Sequence, residues 1–229
     1  MGGRTMTLTD TACGLELFRG LGRAEVSRML ESLNGVRKTY RRGEIVMFAG
    51  KRAERLLAVA KGHLHVYNDI SAEHPVLVRE FGVGDVLGLW ILHVPEIACW
   101  PGTIVAAEDS ELVSLGMDRA RALLASTEKS VARLSVNASR ILSRELFSVW
   151  RKLTVMDAPT IEEKVKVYLS ELENENGRAG EVEVPFDRER MAAYFGVTRP
   201  SLSRALGRLR DKGLISWRKN VFRTNFPRT

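Results

Sequence analysis

The chain has 229 residues, 45% of them apolar, with 35 Lys and Arg against 28 Asp and Glu for a formal net charge of +7. That suits a globular protein large enough for two domains. It excludes a membrane span, because no uncharged apolar run reaches about 18 residues, and it excludes a disulfide framework or a four-cysteine zinc or iron–sulfur site, because Cys13 and Cys99 are the only cysteines.

Residues 1–14 lack the apolar stretch of a secretory signal, which makes the cytoplasm the expected compartment. A helical segment is expected over Leu17–Leu33. The pattern then turns to short apolar or alternating runs: Lys38–Tyr40, Ile45–Phe48, Leu56–Ala60, His63–Tyr67, Val76–Phe81, Val86–Leu89, Thr103–Ala107 and Glu111–Leu115. Glycines and charged turns such as Arg42-Gly43-Glu44 and Gly82-Val83-Gly84-Asp85 punctuate them. Eight short strands with regular turn signals predict a sandwich or jelly roll.

A long helical stretch follows, from Asp118 to Met156. Val131, Leu134, Ala138, Ile141, Leu142, Leu146, Val149 and Leu153 form a stripe near the 3.5-residue spacing of a two-stranded coiled coil. A helix this long exceeds what a small β-domain can cover, so a homodimer helix is expected, the alternative being a stripe that packs on the strands. Asp157-Ala158-Pro159-Thr160 ends it, because proline disfavours helix in the residue before it. The expected division is a β-roll over 1–117, the dimer helix over 118–156 and a C-terminal domain over 157–229, opened by a helix at Ile161–Leu172.

In the C-terminal part, Met191, Ala192 and Phe195 give one apolar helical face over Arg188–Phe195. Gly196 then supplies the reversal a turn needs. Thr198 is a fitting N-cap, Pro200 sits in the first turn where its missing N–H costs nothing, and Leu202, Ala205, Leu206 and Leu209 continue an apolar face. This predicts a helix-turn-helix. The second helix of that motif enters the DNA major groove, and its opposite face here carries Arg199, Ser201, Arg204 and Arg208. Arginine matches the O6/N7 edge of guanine, and a hydroxyl serves a phosphate or a base.

The charge is localised to match. Residues 185–229 hold eleven Lys and Arg against three Asp and Glu, while residues 1–184 hold 24 against 25. All of the positive excess therefore lies in the last fifth of the chain, as phosphate neutralisation requires. Leu214–Trp217 and Val221–Thr224 are expected to pair as a basic wing whose Arg218, Lys219 and Arg223 face the sugar-phosphate backbone, with a third strand at Val182–Val184.

Leu17, Phe18 and Leu21, the run Tyr40 to Ile45, Gly50, Gly62, the run Phe81 to Gly88, and Arg199 to Arg204 stand in one characteristic order and spacing. On these residues the chain resembles the CRP/FNR family of bacterial transcription regulators along nearly its whole length. The resemblance implies an α+β protein: an N-terminal cupin-like β-roll (jelly roll), a long dimerisation helix and a C-terminal winged helix-turn-helix that binds palindromic double-stranded DNA. It implies DNA contacts at Arg199, Ser201 and Arg204, and contact with RNA polymerase for an activator; Thr198, Pro200 and Ser203 complete the segment expected to face the DNA. Pro200 departs from the glutamate often found there, which can accept from cytosine N4.

The sensor departs further. Cyclic-nucleotide-binding relatives hold the ribose with a glutamate and the cyclic phosphate with an arginine, and Leu89 and Trp100 stand at those positions. A phosphate without its guanidinium is poorly held, which argues against cyclic AMP or GMP. The stretch containing Leu89, Trp90, His93, Cys99 and Trp100 suits a pocket for an apolar or aromatic small molecule, an axial ligand set for haem, or a segment padding the sensor against the long helix. A sensor that takes no effector is a further alternative. A metal-cupin enzyme needs histidines and a carboxylate converging on one metal. Among His63, His65, His74 and His93 only His63 and His65 share a strand face, and no metal-cupin spacing follows them.

Overall fold

The computed structural model describes residues 6–68, 77–94, 96–176, 180–184 and 187–226. His74, Val76, Pro95 and residues 177–179 lie outside the described residues. The chain forms two compact units, Met1–Arg144 and Glu145–Thr229.

In the first unit, α1 (Leu8–Cys13), a 3-10 turn (Glu16–Phe18) and α2 (Arg23–Ser32) precede the strands. Thr7 caps α1 through a capping box with Asp10, and the Arg23 guanidinium together with Thr7 holds the Asp10 carboxyl well below the usual carboxylate range. The segment expected as one helix over Leu17–Leu33 is thus a 3-10 turn and a separate helix.

All eight expected strands are present: β1 (Val36–Tyr40), β2 (Ile45–Met47), β3 (Arg55–Lys61), β4 (Leu64–Tyr67), β5 (Leu77–Phe81), β6 (Val86–Leu87), β7 (Thr103–Ala106) and β8 (Ser110–Gly116). They build two four-stranded antiparallel sheets, ordered β1-β8-β3-β6 and β2-β7-β4-β5. The central strands β3 and β8 carry consecutive buried residues, Leu56 to Val59 and Leu112 to Leu115, because both of their faces are covered. The strand expected through Leu89 stops at Leu87. Gly88, at φ +92°, turns the chain into a short helix, α3 (Leu89–His93), and a Cβ there would lie 3.1 Å from the Trp100 ring.

The helical stretch expected from Asp118 to Met156 is two helices, α4 (Met117–Leu124) and α5 (Lys129–Asp157). They part at residues 125–128, where the Ser126 hydroxyl accepts from the Glu128 amide at 3.3 Å, a local bond that competes with the helical ladder. The coiled-coil stripe is also corrected. Val131, Leu134, Ala138 and Ile141 are buried in the first unit's own core, with Leu142 packed partly against it. A 3/4 spacing marks any buried helical face, and here the roll covers the upstream turns. Leu146, Val149 and Leu153 are exposed instead, with Trp150, Phe147 and Val136.

In the second unit the end of α5 is followed by α6 (Ile161–Asn176), β9 (Glu181–Glu183), α7 (Arg188–Tyr194), α8 (Arg199–Asp211), β10 (Ile215–Arg218) and β11 (Val221–Thr224). The strands form an antiparallel sheet ordered β10-β11-β9. Tyr168, Leu169, Phe195, Leu202, Leu206, Leu209 and Phe222 are buried together, and Val155 of α5 joins them. This core fixes the angle between α7 and α8.

Candidate functional site

Helix α7 starts at Asp187, whose carboxylate accepts from the Arg190 amide at 2.8 Å. After Phe195, Gly196 at φ +65° reverses the chain, and the Val197 amide donates back to the Ala192 carbonyl at 3.0 Å. Thr198 caps α8, and Pro200 occupies its first turn.

The buried face of α8 holds Leu202, Ala205, Leu206 and Leu209. At 3.6 residues per turn, Pro200 and Arg204, four residues apart, lie one above the other on the opposite face, with Gly207 next along it. Arg199, Pro200, Ser203 and Arg204 are all exposed. Ser201 lies on the flank and is engaged within the helix. Thr198 Oγ1 donates to Ser201 Oγ at 2.9 Å, and Arg204 Nη2 donates to the same oxygen at 3.3 Å. The two hydroxyls thereby steady the Arg204 guanidinium from below.

Arg208 sits differently. Its Nε donates to Glu162 of α6, and this bond holds the Glu162 carboxyl below its usual range. Arg208, one turn beyond Arg204 and itself exposed, is thereby tied to α6.

In the wing, Arg218 and Lys219 are exposed at the β10–β11 turn, and Lys219 takes a φ of +55°. Arg223 Nε donates to Glu181 Oε2 at 2.9 Å across the sheet. Behind the turn, the Arg188 guanidinium lies 5.4 Å from the centre of the Trp217 ring and 4.7 Å from that of Phe222, and Arg188 Nη2 donates to the Lys219 carbonyl at 3.4 Å. Arg210 lies on Trp217 at 5.6 Å. Sequence reasoning missed Arg188 and Glu162. Their roles depend on which element packs beside them, and no local spacing encodes that.

The residues of the sensor stretch differ in burial. Leu89 and Trp100 are buried, Trp90 is half-buried, and His93 and Cys99 are exposed. Trp100 is fixed through its backbone, its amide donating to the Lys51 carbonyl at 2.9 Å and its carbonyl accepting from the Gly50 amide at 2.8 Å. Its indole N–H is buried with no acceptor among the described residues. Leu89 lines a void walled by Leu17, Leu56, Leu115, Leu123 and Leu134, of about 20 Å³. That is room for roughly one water molecule, and an apolar wall of this kind stays dry.

His63 and His65 face separate carboxylates. His63 Nδ1 is 2.6 Å from Glu108 Oε1, whereas His65 Nε2 is 3.3 Å from Glu80 Oε2 and its Nδ1 is 3.1 Å from the Tyr67 hydroxyl. Among the described residues no group of three or more His, Cys, Asp or Glu is arranged to hold a metal ion, and no helix is long and apolar enough to cross a membrane.

Known proteins match both units. Residues 163–227 match the Crp-like helix-turn-helix domain and residues 37–127 the cyclic nucleotide-binding domain. Electron transport regulator A of Shewanella oneidensis is 23% identical over 183 residues, covering 78% of this chain and 70% of that protein. Among solved structures, the c-di-GMP-responsive global regulator CLP of Xanthomonas campestris is similar at TM-score 0.64 with 19% identity, covering 90% of this chain and 100% of that one. FixK2 of Bradyrhizobium japonicum aligns at TM-score 0.59 with 21% identity, covering 84% and 93%. A CooA mutant of Carboxydothermus hydrogenoformans aligns at 0.64 with 15% identity, covering 86% and 90%. At these identities the structures establish the shared fold.

Proposed function

Because the chain belongs to the CRP/FNR family of DNA-binding transcription regulators, we propose that it acts in the cytoplasm as a homodimer that reads a palindromic operator through α8, with a sensor that does not use a cyclic nucleotide. The observation that carries this reading is the outward face of α8, where exposed Arg199, Pro200, Ser203 and Arg204 stand beside the exposed wing residues Arg218 and Lys219. In this arrangement α8 enters the major groove and the wing follows the backbone. Thr198 and Ser201 steady Arg204, and Arg208 braces α8 on α6.

Dimerisation is supported by the apolar residues left exposed on α5. Leu146, Trp150 and Leu153 continue the spacing set by Val136, Ser139 and Ser143, a seam of alternating three- and four-residue steps. Two half-sites about 34 Å apart then have to be matched at once, so a shift worth ~1–3 kcal/mol between two arrangements of the dimer makes a usable switch.

For the sensor, apolar Leu89 and Trp100 fill the positions where relatives hold the ribose and the cyclic phosphate, and neither side chain can repay the desolvation of an anion. Against a haem stands the exposure of His93 and Cys99, its candidate axial ligands. The packed roll favours operator binding by the effector-free protein.

The test is selection from a random duplex pool with purified, effector-free protein at near-physiological salt. Recovery of a palindrome with half-sites one turn apart is the expected result. An unselected pool would mean that an effector is required, or that the α8 reading is wrong.

A further inference from the structure

We infer that Pro200 reads the C5-methyl group of a thymine at one fixed position of each half-site, neighbouring the guanine read by Arg204. This deepens the operator reading proposed above and rests on it.

Pro200 and Arg204 are stacked at the centre of the face turned away from the α8 core. The next residue along that line is Gly207, where a Cβ would meet nothing within 4 Å. The central line of the helix therefore presents a ring, one guanidinium and bare backbone. Ser201, on one flank of this line, already accepts from both Thr198 and Arg204, and exposed Ser203 lies on the other flank. Arg208 is held by Glu162.

The side chains on the central line itself are the Arg204 guanidinium and the Pro200 ring, with exposed Arg199 and Ser203 on its flank. A proline side chain has no donor or acceptor, so it cannot distinguish the hydrogen-bonding edges of the four base pairs. The one apolar feature that a base presents in the major groove is the thymine methyl. The ring is fixed by its own closure and by the first turn of a helix that Thr198 caps, so the contact loses little side-chain freedom on binding. The bare position at Gly207 lets the helix approach closely enough for a short ring to reach the base.

The experiment uses the full-length protein and the operator recovered by selection. Each thymine is replaced in turn by uracil, which removes only the methyl group, with binding measured by fluorescence anisotropy. The expected result is one symmetry-related position at which the substitution weakens binding about fourfold, the worth of one buried methyl. At that position cytosine binds weakly and 5-methylcytosine recovers part of the loss. Pro200→Glu, a residue well tolerated in the first turn of a helix, shifts the preference there from thymine to cytosine. Indifference to uracil at every position overturns the inference, as does a uracil penalty that persists unchanged in Pro200→Glu. Both outcomes leave the operator reading intact, whereas failure to recover any operator removes the reading and the inference together.

Discussion

Asn137, buried in the middle of α5, donates its side-chain amide to the carbonyl of Leu17 at 3.0 Å, and the same nitrogen reaches the carbonyl of Arg19 at 2.8 Å. One polar side chain thus satisfies two carbonyls at the end of a 3-10 turn that would otherwise face an apolar core. Arg144 reinforces the tie through Glu16 at 2.8 Å. Asn137→Ala is expected to destabilise the folded protein by about 1–3 kcal/mol, because it leaves those carbonyls short of a donor. Asn137→Asp is expected to cost more at neutral pH, because it aims a carboxylate at them. Urea denaturation followed by circular dichroism measures both. A neutral Asn137→Ala variant would mean that water or a neighbouring group takes over the bonds.

Arg204 and Arg208 lie one helical turn apart on α8 and are expected to behave differently. Arg204→Ala should weaken specific binding by about 1–3 kcal/mol and relax base preference at one position. Arg208→Ala should leave base preference unchanged. Its effect is expected on Glu162 instead: the carboxyl, held below its usual range by Arg208, should return to ordinary glutamate behaviour. The sign follows from linkage. A lowered carboxyl value contributes stability above its ordinary value, near pH 4.5, and loses it as pH falls through the lowered one. Carboxyl-detected NMR titration of the wild type and Arg208→Ala checks this, and relaxed base selection in Arg208→Ala would place its side chain on the DNA after all.

The helix-turn-helix was legible in the sequence because every local signal agreed there. The glycine reversal, the threonine cap, the first-turn proline and the apolar spacing of α8 all belong to one short segment. The eight strands were legible for the same reason. The faces of α5 were not. A 3/4 spacing marks a buried stripe without saying what buries it, so Val131 to Ile141, packed on their own roll, and Leu146 to Leu153, exposed, read as one seam. Helix α3 was missed because its start depends on the left-handed turn at Gly88 under the Trp100 ring, a long-range contact. The stacking of Arg188 on Trp217 and the Arg208–Glu162 pair were hidden likewise, each joining residues from different elements.

Trp100 tests the reading of the sensor. It is 4% exposed, and its ring lies beside Gly88. Trp100→Ala should cost about 3–5 kcal/mol through the cavity it opens. Titration calorimetry of the wild type with cyclic AMP or cyclic GMP should give no binding heat. Saturable binding of either nucleotide at micromolar concentration would require Trp100 to swing out of the core, and would overturn the account of a roll filled by its own side chains.

The two halves of α5 are expected to fail in different ways. Leu134 is buried in the first unit, so Leu134→Ala should lower stability by about 2–5 kcal/mol with little direct effect on association. Leu146 is 70% exposed and Trp150 56% exposed in the single chain, so replacing them removes little from the fold. If these side chains form the seam between two copies, Leu146→Glu with Trp150→Glu places like charges where apolar groups meet. Sedimentation velocity should then show a monomer whose urea transition matches that of the wild type after allowance for the lost association. The same variant should bind an isolated half-site as the wild-type helix does, yet lose about 10²–10⁴-fold on the full palindrome, because the second half-site no longer benefits from tethering. A double variant that remains dimeric would move the interface off this face of α5, and one that loses half-site binding as well would show that these side chains support the second unit itself.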